Sequence, residues 1–219
     1  MKKYKYAVVA VDLLVFTIQE NDLKILLVKM KKPPFYHFWA TPGGLIKPNE
    51  SLEKAAFREL YEKTRIKNIY LEQLYTFGDP KRDPTGRVIS VAYFALINAT
   101  NIKLKTTKKY LDIKWFSTKN LPTLAYDHKE MINYALLRLH WKLEYTNIAY
   151  SLLPKYFTFS QLQKVYEIIL NKKLDKRNFR RRMLFLKIVK PTQVKKTGEP
   201  HRPAKLFTFT KRSPEIISK

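Results

Sequence analysis

The chain has 219 residues, 45% of them hydrophobic and 14% aromatic, so it is long enough for one large domain or two small ones and apolar enough to bury a core. It has no cysteine, which excludes disulfides and thiolate metal sites, and no uninterrupted apolar run of the roughly 20 residues that a membrane span requires, so we expect a cytoplasmic protein without a membrane partner. Its 43 lysines and arginines against 18 acidic residues give a net charge of +25, which fits a nucleic-acid partner and a solvated basic surface equally well.

The first half of the chain predicts an α+β domain over residues 1–147. Runs rich in β-branched and aromatic residues, separated by polar turns, are typical of strands. Four such runs occur, at residues 6–18, 23–30, 70–77 and 88–98. Apolar residues at helical spacing predict two helices, at residues 51–64 and 127–143.

After residue 148 the pattern changes to that of a small basic domain, residues 148–219. Thr158 and Gln161 have the spacing of a helix capping box, and Asp175 is placed to cap a second helix. Two apolar runs, at residues 188–189 and 206–210, flank a polar segment and predict a β-hairpin. The order helix, turn, basic helix and basic hairpin is typical of a winged helix-turn-helix, a DNA-binding fold.

The strongest motif lies around the first predicted helix. It consists of a glycine, a glutamate and an Arg-Glu-Leu triplet with a further glutamate, at positions Gly44, Glu50, Arg58, Glu59, Leu60 and Glu62. These residues resemble the Nudix box in type and spacing, and Ile66 and the preceding Trp39 to Gly43 fit it as well. The alternative, an ordinary amphipathic helix after a glycine turn, does not require this combination. The resemblance implies an N-terminal Nudix-like α/β/α sandwich.

One departure from the Nudix pattern decides what we expect of this domain. The family places a pair of glutamates on the helix as principal Mg²⁺ ligands, whereas here the second position is Lys63. An ammonium deletes a ligand and repels the metal, by about 1 kcal/mol per unit charge at about 4 Å even in water. The closing glycine of the box is also replaced, by Arg65, so the helix is expected to end differently. We therefore predict a catalytically degenerate domain with no catalytic residue, no metal and no cofactor, in which Glu50 and Arg58 survive as a structural pair.

Without its metal, a Nudix domain can still bind a ligand. Lys63 carries a fixed positive charge that suits a phosphate or carboxylate, and the loop after the third predicted strand adds two arginines suited to phosphate or sugar oxygens. Each of these cations is also compatible with a plain solvated surface. The predicted effector-binding residues are Gly43, Gly44, Glu59, Glu62, Lys63, Arg82 and Arg87.

The second domain carries the predicted DNA contacts. Residues 171–212 contain 15 basic side chains and two acidic ones. The second helix of such a fold enters the major groove, where arginine reads guanine, while the wing contacts phosphate or the minor groove. We assign Phe179 and Met183 to packing because they fall on the apolar stripe. The predicted DNA-binding residues are Arg177, Asn178, Arg180, Arg181, Lys195, Lys196 and Arg202.

The combination of the two domains resembles the Nudix-related transcriptional regulators along nearly the whole chain. Segments 152–158, 174–182 and 201–204, together with 77–80 in the first domain, carry this resemblance. It implies a bacterial homodimer that binds double-stranded operator DNA as a repressor or activator. It also implies that the first domain senses ADP-ribose, a related nucleotide or a sugar.

Two alternatives remain open at this stage. An active Nudix pyrophosphohydrolase of the ADP-ribose type, with a basic appendage, keeps Glu59 and Glu62 but conflicts with Lys63. An RNA-binding accessory protein explains the charge but not the helix-turn-helix order.

Overall fold

The structure is a computed structural model that describes residues 6–65, 69–99, 102–195 and 205–217, without the side chain of Lys195. It forms two compact units. The first contains the residues up to Thr17 and residues 24–137, and the second contains residues 18–23 and the chain from Arg138 onward.

Seven strands in the described ranges form one mixed sheet. They are β1 (Val8–Gln19), β2 (Asp22–Met30), β3 (Trp39–Ala40), β4 (Gly43–Leu45), β5 (Glu72–Phe77), β6 (Val88–Leu96) and β7 (Tyr110–Ser117). The strand order is β3-β2-β1-β6-β5, with β4 paired to β1 and β7 to β2. The central pair, β1 and β6, is parallel, whereas β4, β3, β7 and β5 join their neighbours antiparallel.

Helices α1 (Leu52–Thr64) and α2 (His128–Tyr145) follow β4 and β7 in the chain. Alternate residues of β1, namely Val11, Leu13 and Val15, share one buried cluster with residues of α1, Ala56 and Leu60 among them. Every second residue of β1 and residues at helical spacing on α1 thus pack into one buried cluster. This packing holds the helix against the sheet.

Strand β7 is absent from the sequence-based prediction. Its polar residues, such as Asp112 and Lys114, interrupt the apolar run, and only Ile113 is buried. The strand forms because β2 supplies an antiparallel partner, with Val28 opposite Ile113 and Leu26 opposite Trp115. A long-range pairing of this kind overrides weak local propensity.

Besides the end of α2 and a 3-10 helix (Ile148–Ser151), the second unit contains two helices and two paired strands in the described ranges. These are α3 (Phe159–Leu170), α4 (Lys176–Phe185), β8 (Val189–Lys195) and β9 (Lys205–Phe209). The predicted capping box is confirmed: Thr158 Oγ1 accepts from the Gln161 N–H at 3.2 Å, and Gln161 Oε1 accepts from the Thr158 N–H at 2.8 Å. Asp175 caps α4 by accepting from the Asn178 N–H at 2.8 Å, also as predicted.

Helix α1 ends in a left-handed turn even though the glycine of the Nudix pattern is missing. Arg65 has φ 58°, and its N–H donates to the Tyr61 carbonyl at 2.8 Å. The expectation that the helix ends differently is therefore wrong at the level of the backbone. An L-residue in this conformation costs about 1 kcal/mol or more relative to glycine.

We therefore expect Arg65→Gly to stabilise the protein by about 0.5 to 1 kcal/mol, measured as a higher midpoint in urea. Asn171 provides the matched control because it ends α3 in the same region, with φ 48°, and asparagine adopts that conformation readily. Asn171→Gly should change the midpoint little. An Arg65→Gly protein no more stable than the wild type would show that Arg65 is not strained.

Candidate functional site

The centre of the Nudix-like helix is a buried charge cluster around Glu59. Both Glu59 and Lys63 are fully buried, and the Lys63 ammonium donates to the Glu59 carboxylate and, at 3.2 Å, to the Glu59 carbonyl. Arg58 donates to the other oxygen of the same carboxylate. Glu59 therefore already has two cationic partners within the protein.

Burial and pairing act against each other in this cluster. Burial raises the pKa of Glu59, but the charge and hydrogen bonds of Lys63 and Arg58 outweigh it, so the pKa is lowered. Burial lowers the pKa of Lys63 more than Glu59 raises it. Lys63 was predicted to bind an effector anion; in the structure its partner is the carboxylate one helical turn earlier.

Gly44 is required by the same cluster. A Cβ atom at this position would lie 2.5 Å from Glu59 Oε1 and 2.9 Å from its Cδ. A side chain at position 44 would therefore push the Glu59 carboxylate away from its partners. The glycine of the box serves packing against Glu59.

Glu50 and Arg58 form the predicted structural pair. Arg58 Nε donates to Glu50 Oε1 at 2.7 Å and Nη2 donates to Oε2 at 2.8 Å, a bidentate contact. The hydrogen bonds from Arg58 lower the pKa of Glu50 to about 2. The pair attaches the loop before α1 to the helix.

The residues present do not fit a Nudix Mg²⁺ site. Two cations contact the Glu59 carboxylate where the family has carboxylates around a metal, and Lys109 Nζ lies 3.7 Å from Glu59 Oε1 as a third. Glu62, which has 36% of its side chain exposed, lies 3.9 Å from Arg58. In the part of the chain that the structure describes, no three side chains of His, Cys, Asp or Glu are grouped to hold a metal.

A cavity of about 290 Å³ lies in the first unit. Of the predicted effector residues, Gly43, Gly44 and Arg82 line it, and its described wall does not include Glu59, Glu62, Lys63 or Arg87. Arg87 instead donates to the Gly78 carbonyl at 2.8 Å. Residues that the sequence analysis did not name complete the wall, notably Asp12, Lys31, Lys32, Lys109, Tyr110, Tyr126 and His128.

A buried polar network underlies this cavity and holds Arg82. The guanidinium donates twice to Asp127, from Nε at 2.9 Å and Nη2 at 2.8 Å, and lies 3.5 Å from Asp12. Ser90 donates to Asp12 at 2.6 Å. Burial alone would lower the pKa of Arg82, but Asp127 and Asp12 raise it above its ordinary value. Arg82 is therefore a fixed positive charge. The two guanidinium nitrogens that form its bidentate contact already donate to Asp127.

His128 is the neutral member of the network. The Thr41 N–H donates to Nδ1 at 3.0 Å, which places the ring proton on Nε2, 3.6 Å from Asp12 Oδ1. Burial lowers the pKa of His128 more than Asp12 and Asp127 raise it. An acidic residue inside the first apolar run, Asp12, and the Asp-His pair at the start of α2 were the sequence signals for this network.

Helix α4 presents the predicted DNA contacts. Arg177, Asn178 and Arg181 are exposed, and Arg181 Nη2 donates to Asn178 Oδ1 at 3.1 Å. Phe179 and Met183 are buried, which confirms their assignment to packing. Lys196 and Arg202 lie outside the described residues, as does the side chain of Lys195.

Arg180 differs from its neighbours on α4. Its guanidinium carbon lies 4.7 Å from the ring centre of Phe159 and 5.4 Å from that of Phe207. Cation–π contacts of this kind attach α4 to α3 and β9. Arg180 is thus partly a structural residue.

Comparisons with known proteins identify both domains. A profile of the Nudix domain matches residues 8–135, and a profile of the NrtR DNA-binding winged helix domain matches residues 149–209. The chain is therefore a Nudix-domain protein with a DNA-binding winged helix, which confirms the predicted fold class. No helix in the described ranges is long and apolar enough to cross a membrane.

The chain belongs to the NrtR family of transcriptional regulators, as its sequence resemblance predicted. It is 37% identical to the ADPR responsive transcriptional repressor NtrR of Acinetobacter baylyi, over 94% of this chain and 83% of the relative. Shewanella oneidensis NrtR, solved with a 27mer DNA, is 34% identical with a TM-score of 0.80, covering 92% of this chain and 93% of that one.

Two further relatives match the first domain. The NUDIX domain of Shewanella oneidensis NrtR, solved with ADP ribose, is 36% identical with a TM-score of 0.57, covering 62% of this chain and 90% of that one. An ADP-ribose pyrophosphatase of Methanocaldococcus jannaschii is 36% identical over 60% of this chain and 76% of its own length. The relatives that match the first domain thus include both a regulator and an enzyme.

The buried pair predicts how the protein responds to divalent metal. Lys63→Glu restores the carboxylate of the Nudix pattern, so the variant should be less stable than the wild type without metal and regain stability with Mn²⁺. Lys63→Met is the matched control: it leaves Glu59 short of a partner, costs about 3 to 5 kcal/mol and gains nothing from Mn²⁺. Urea unfolding with and without Mn²⁺ measures both. A wild-type protein stabilised by Mn²⁺ as much as Lys63→Glu would contradict this account.

Proposed function

We propose that the chain is an ADP-ribose-responsive transcriptional repressor that acts in the cytoplasm. The observation that carries this proposal is the substitution of a buried Lys63–Glu59 ion pair for a metal site in a Nudix domain that precedes a DNA-binding winged helix. A domain with this charge arrangement retains a cavity for a ligand but lacks the carboxylate cluster for hydrolysis. The relatives from Acinetobacter and Shewanella support ADP-ribose as effector and DNA as target.

The cavity of the first unit is the proposed effector site. At about 290 Å³ it lies near the lower end of small-molecule sites, which start at about 300 Å³. Lys31, Lys32 and Lys109 line it and suit a pyrophosphate, while the ring of Tyr126 offers an apolar face to a base or sugar. We propose these residues with Gly43, Gly44 and Arg82 as the effector site, in place of Glu59, Glu62, Lys63 and Arg87.

A second candidate function is hydrolysis of ADP-ribose. The Methanocaldococcus relative favours it, and Glu59 and Glu62 of the box are both present. Catalytic degeneracy is our proposal, because the ammonium of Lys63 occupies one side of the carboxylate that a metal would need.

We expect ADP-ribose to bind without being hydrolysed. At about 100 times its dissociation constant, it should stabilise the protein by about 2.7 kcal/mol in a thermal-unfolding assay. Lys32→Gln and Lys109→Gln should each weaken binding, because both side chains line the cavity. Lys114→Gln should not, because Lys114 is outside its described wall and pairs with Asp112 at 2.7 Å.

Chromatography of AMP after incubation with ADP-ribose and Mg²⁺ or Mn²⁺ tests the enzyme alternative in the same samples. Turnover in the usual enzymatic range of about 1 to 10³ per second would overturn the sensor proposal. If a pentose stabilises the protein and ADP-ribose does not, the proposal that the first domain is a sensor stands, but ADP-ribose is excluded as its effector.

Helix α4 and the wing are proposed to bind the operator, through Arg177, Asn178, Arg180 and Arg181 on the helix and Lys195, Lys196 and Arg202 on the wing. One winged helix buries too little surface for tight specific binding, so a homodimer on a near-palindromic site stays our prediction. The exposed arginines at 177 and 181 are the proposed base contacts. Arg180 is proposed mainly to support the helix through its two aromatic neighbours.

An operator is first selected from random duplexes. Substituting a residue that reads a base and substituting one that contacts a phosphate should then change the affinity for this operator in different ways. Arg181→Ala should cost about 1 to 3 kcal/mol on the operator and relax specificity at one position. Lys196→Ala should weaken all sequences alike and lower the salt slope by about one. Titrations of operator and scrambled duplexes at several salt concentrations separate the two effects. If neither Arg177→Ala nor Arg181→Ala changes the ratio of the two affinities, α4 is not the recognition helix.

A further inference from the structure

An outer strand of the first unit carries an exposed aromatic patch. Strand β5 ends the strand order of the sheet, and the described ranges place no further strand beyond it. Tyr75 on β5 is 53% exposed, and its ring centre lies 5.3 Å from that of Phe77 and 5.1 Å from that of Tyr134 on α2. Leu137 follows Tyr134 by one helical turn on the same side of α2 and is 45% exposed. We call these four residues the Tyr75 patch.

Helix α2 is apolar on more than its buried side. Met131, Ile132 and Ala135 are buried, and at helical spacing they lie on a different side of α2 from Tyr134 and Leu137. A surface helix of a globular protein normally has one apolar stripe, with charged or polar residues on the side that faces water. The second stripe of α2 is therefore not needed to hold the helix in its own domain, which indicates a further contact.

The two segments that form the patch contain no cation. About one residue in five of the chain is lysine or arginine, but residues 69–80, which include β5, and residues 130–137 of α2 contain neither. The cores of protein–protein interfaces are likewise rich in aromatic residues and poor in lysine. Two copies of a protein with a net charge of +25 repel each other wherever their cationic surfaces meet. At the Tyr75 patch, a second copy can approach without bringing lysines or arginines of these segments together.

We infer that the Tyr75 patch packs against the same patch of a second copy and forms the core of a homodimer interface. A two-fold axis brings identical surfaces together, and an uncharged aromatic surface is compatible with itself. The pairing of β5 with β6 shifts in register between Gln73 and Tyr75, so we expect contact through side chains and not a sheet continued across the axis. The inference rests on the proposed function, which predicts a homodimer, and adds the surface through which the copies meet.

Light scattering of the full-length protein over a range of concentrations measures the self-association. We expect a wild-type dimer, and we expect Tyr75→Glu and Leu137→Glu each to weaken it about tenfold or more, because each places a carboxylate in the apolar core of the interface. Tyr36→Glu and Leu111→Glu are the matched controls. They lie in the same unit outside the patch, make the same change of charge, and replace residues that are 53% and 40% exposed. Both controls should remain dimeric, and circular dichroism checks that all four variants are folded.

Cysteine cross-linking tests the same surface without disrupting it. The chain has no cysteine, so a disulfide-linked dimer can form only through an introduced residue. Thr76→Cys and Leu137→Cys should each give more linked dimer on mild oxidation than the control Leu111→Cys, because residues near a two-fold axis lie close to their own copies.

Three results would overturn the inference. The first is a monomeric wild type, which would assign the patch to a different protein. The second is a dimer that both glutamate variants of the patch retain as tightly as the controls do. The third is cross-linking through Thr76→Cys and Leu137→Cys no greater than through Leu111→Cys. None of these measurements uses DNA or ADP-ribose, whose binding is measured separately, so a dimer that forms through another surface would leave the proposed repressor intact.

Discussion

The buried ion pair between Glu59 and Lys63 is the constraint around which the first domain is arranged. A carboxylate that is removed from water requires a cation or a set of hydrogen bonds. In an enzyme of this family a metal and neighbouring carboxylates would share that environment, whereas here one turn of helix supplies the counter-charge. Such pairs add little net stability compared with apolar residues, but removing one partner is costly. Losing either Glu59 or Lys63 alone is therefore more costly than losing both.

The cavity depends on a second, separate set of charges. Arg82, Asp127 and Asp12 are paired with one another and with neutral neighbours, so these polar groups of the wall have partners within the protein itself. A site whose polar groups already have partners loses little conformational freedom on binding. The proposed effector would therefore be selected by shape and by the outer lysines, because the inner carboxylates are already paired.

Local sequence patterns predicted the parts of this protein that a few neighbouring residues determine. The capping residues Thr158 and Asp175 were predicted because caps depend on a few neighbouring positions. Strand β7 was missed because it forms only through its pairing with β2. Lys63 was placed correctly in the motif, but its partner was not foreseen, since nothing in a motif shows which way a flexible side chain turns.

The cavity residues were missed for a related reason. Asp12, Thr41 and His128 lie far apart in the chain and come together only in the folded sheet, with Thr41 and His128 separated by 87 positions. Arg82 was recognised as a candidate because arginine in a turn-rich loop is conspicuous. Its engagement by Asp127 is a tertiary contact that no local window contains.

The retention of Gly44, Glu50 and Arg58 around a substituted metal position also has a genetic consequence. Arg58 holds Glu50, and Gly44 leaves room for Glu59, through contacts that do not include the side chain at position 63. Lysine and glutamate codons differ only in their first base. At this position, the two charge arrangements are thus neighbours in the genetic code, and one nucleotide substitution exchanges the internal counter-charge of Glu59 for a carboxylate that needs a cation from outside.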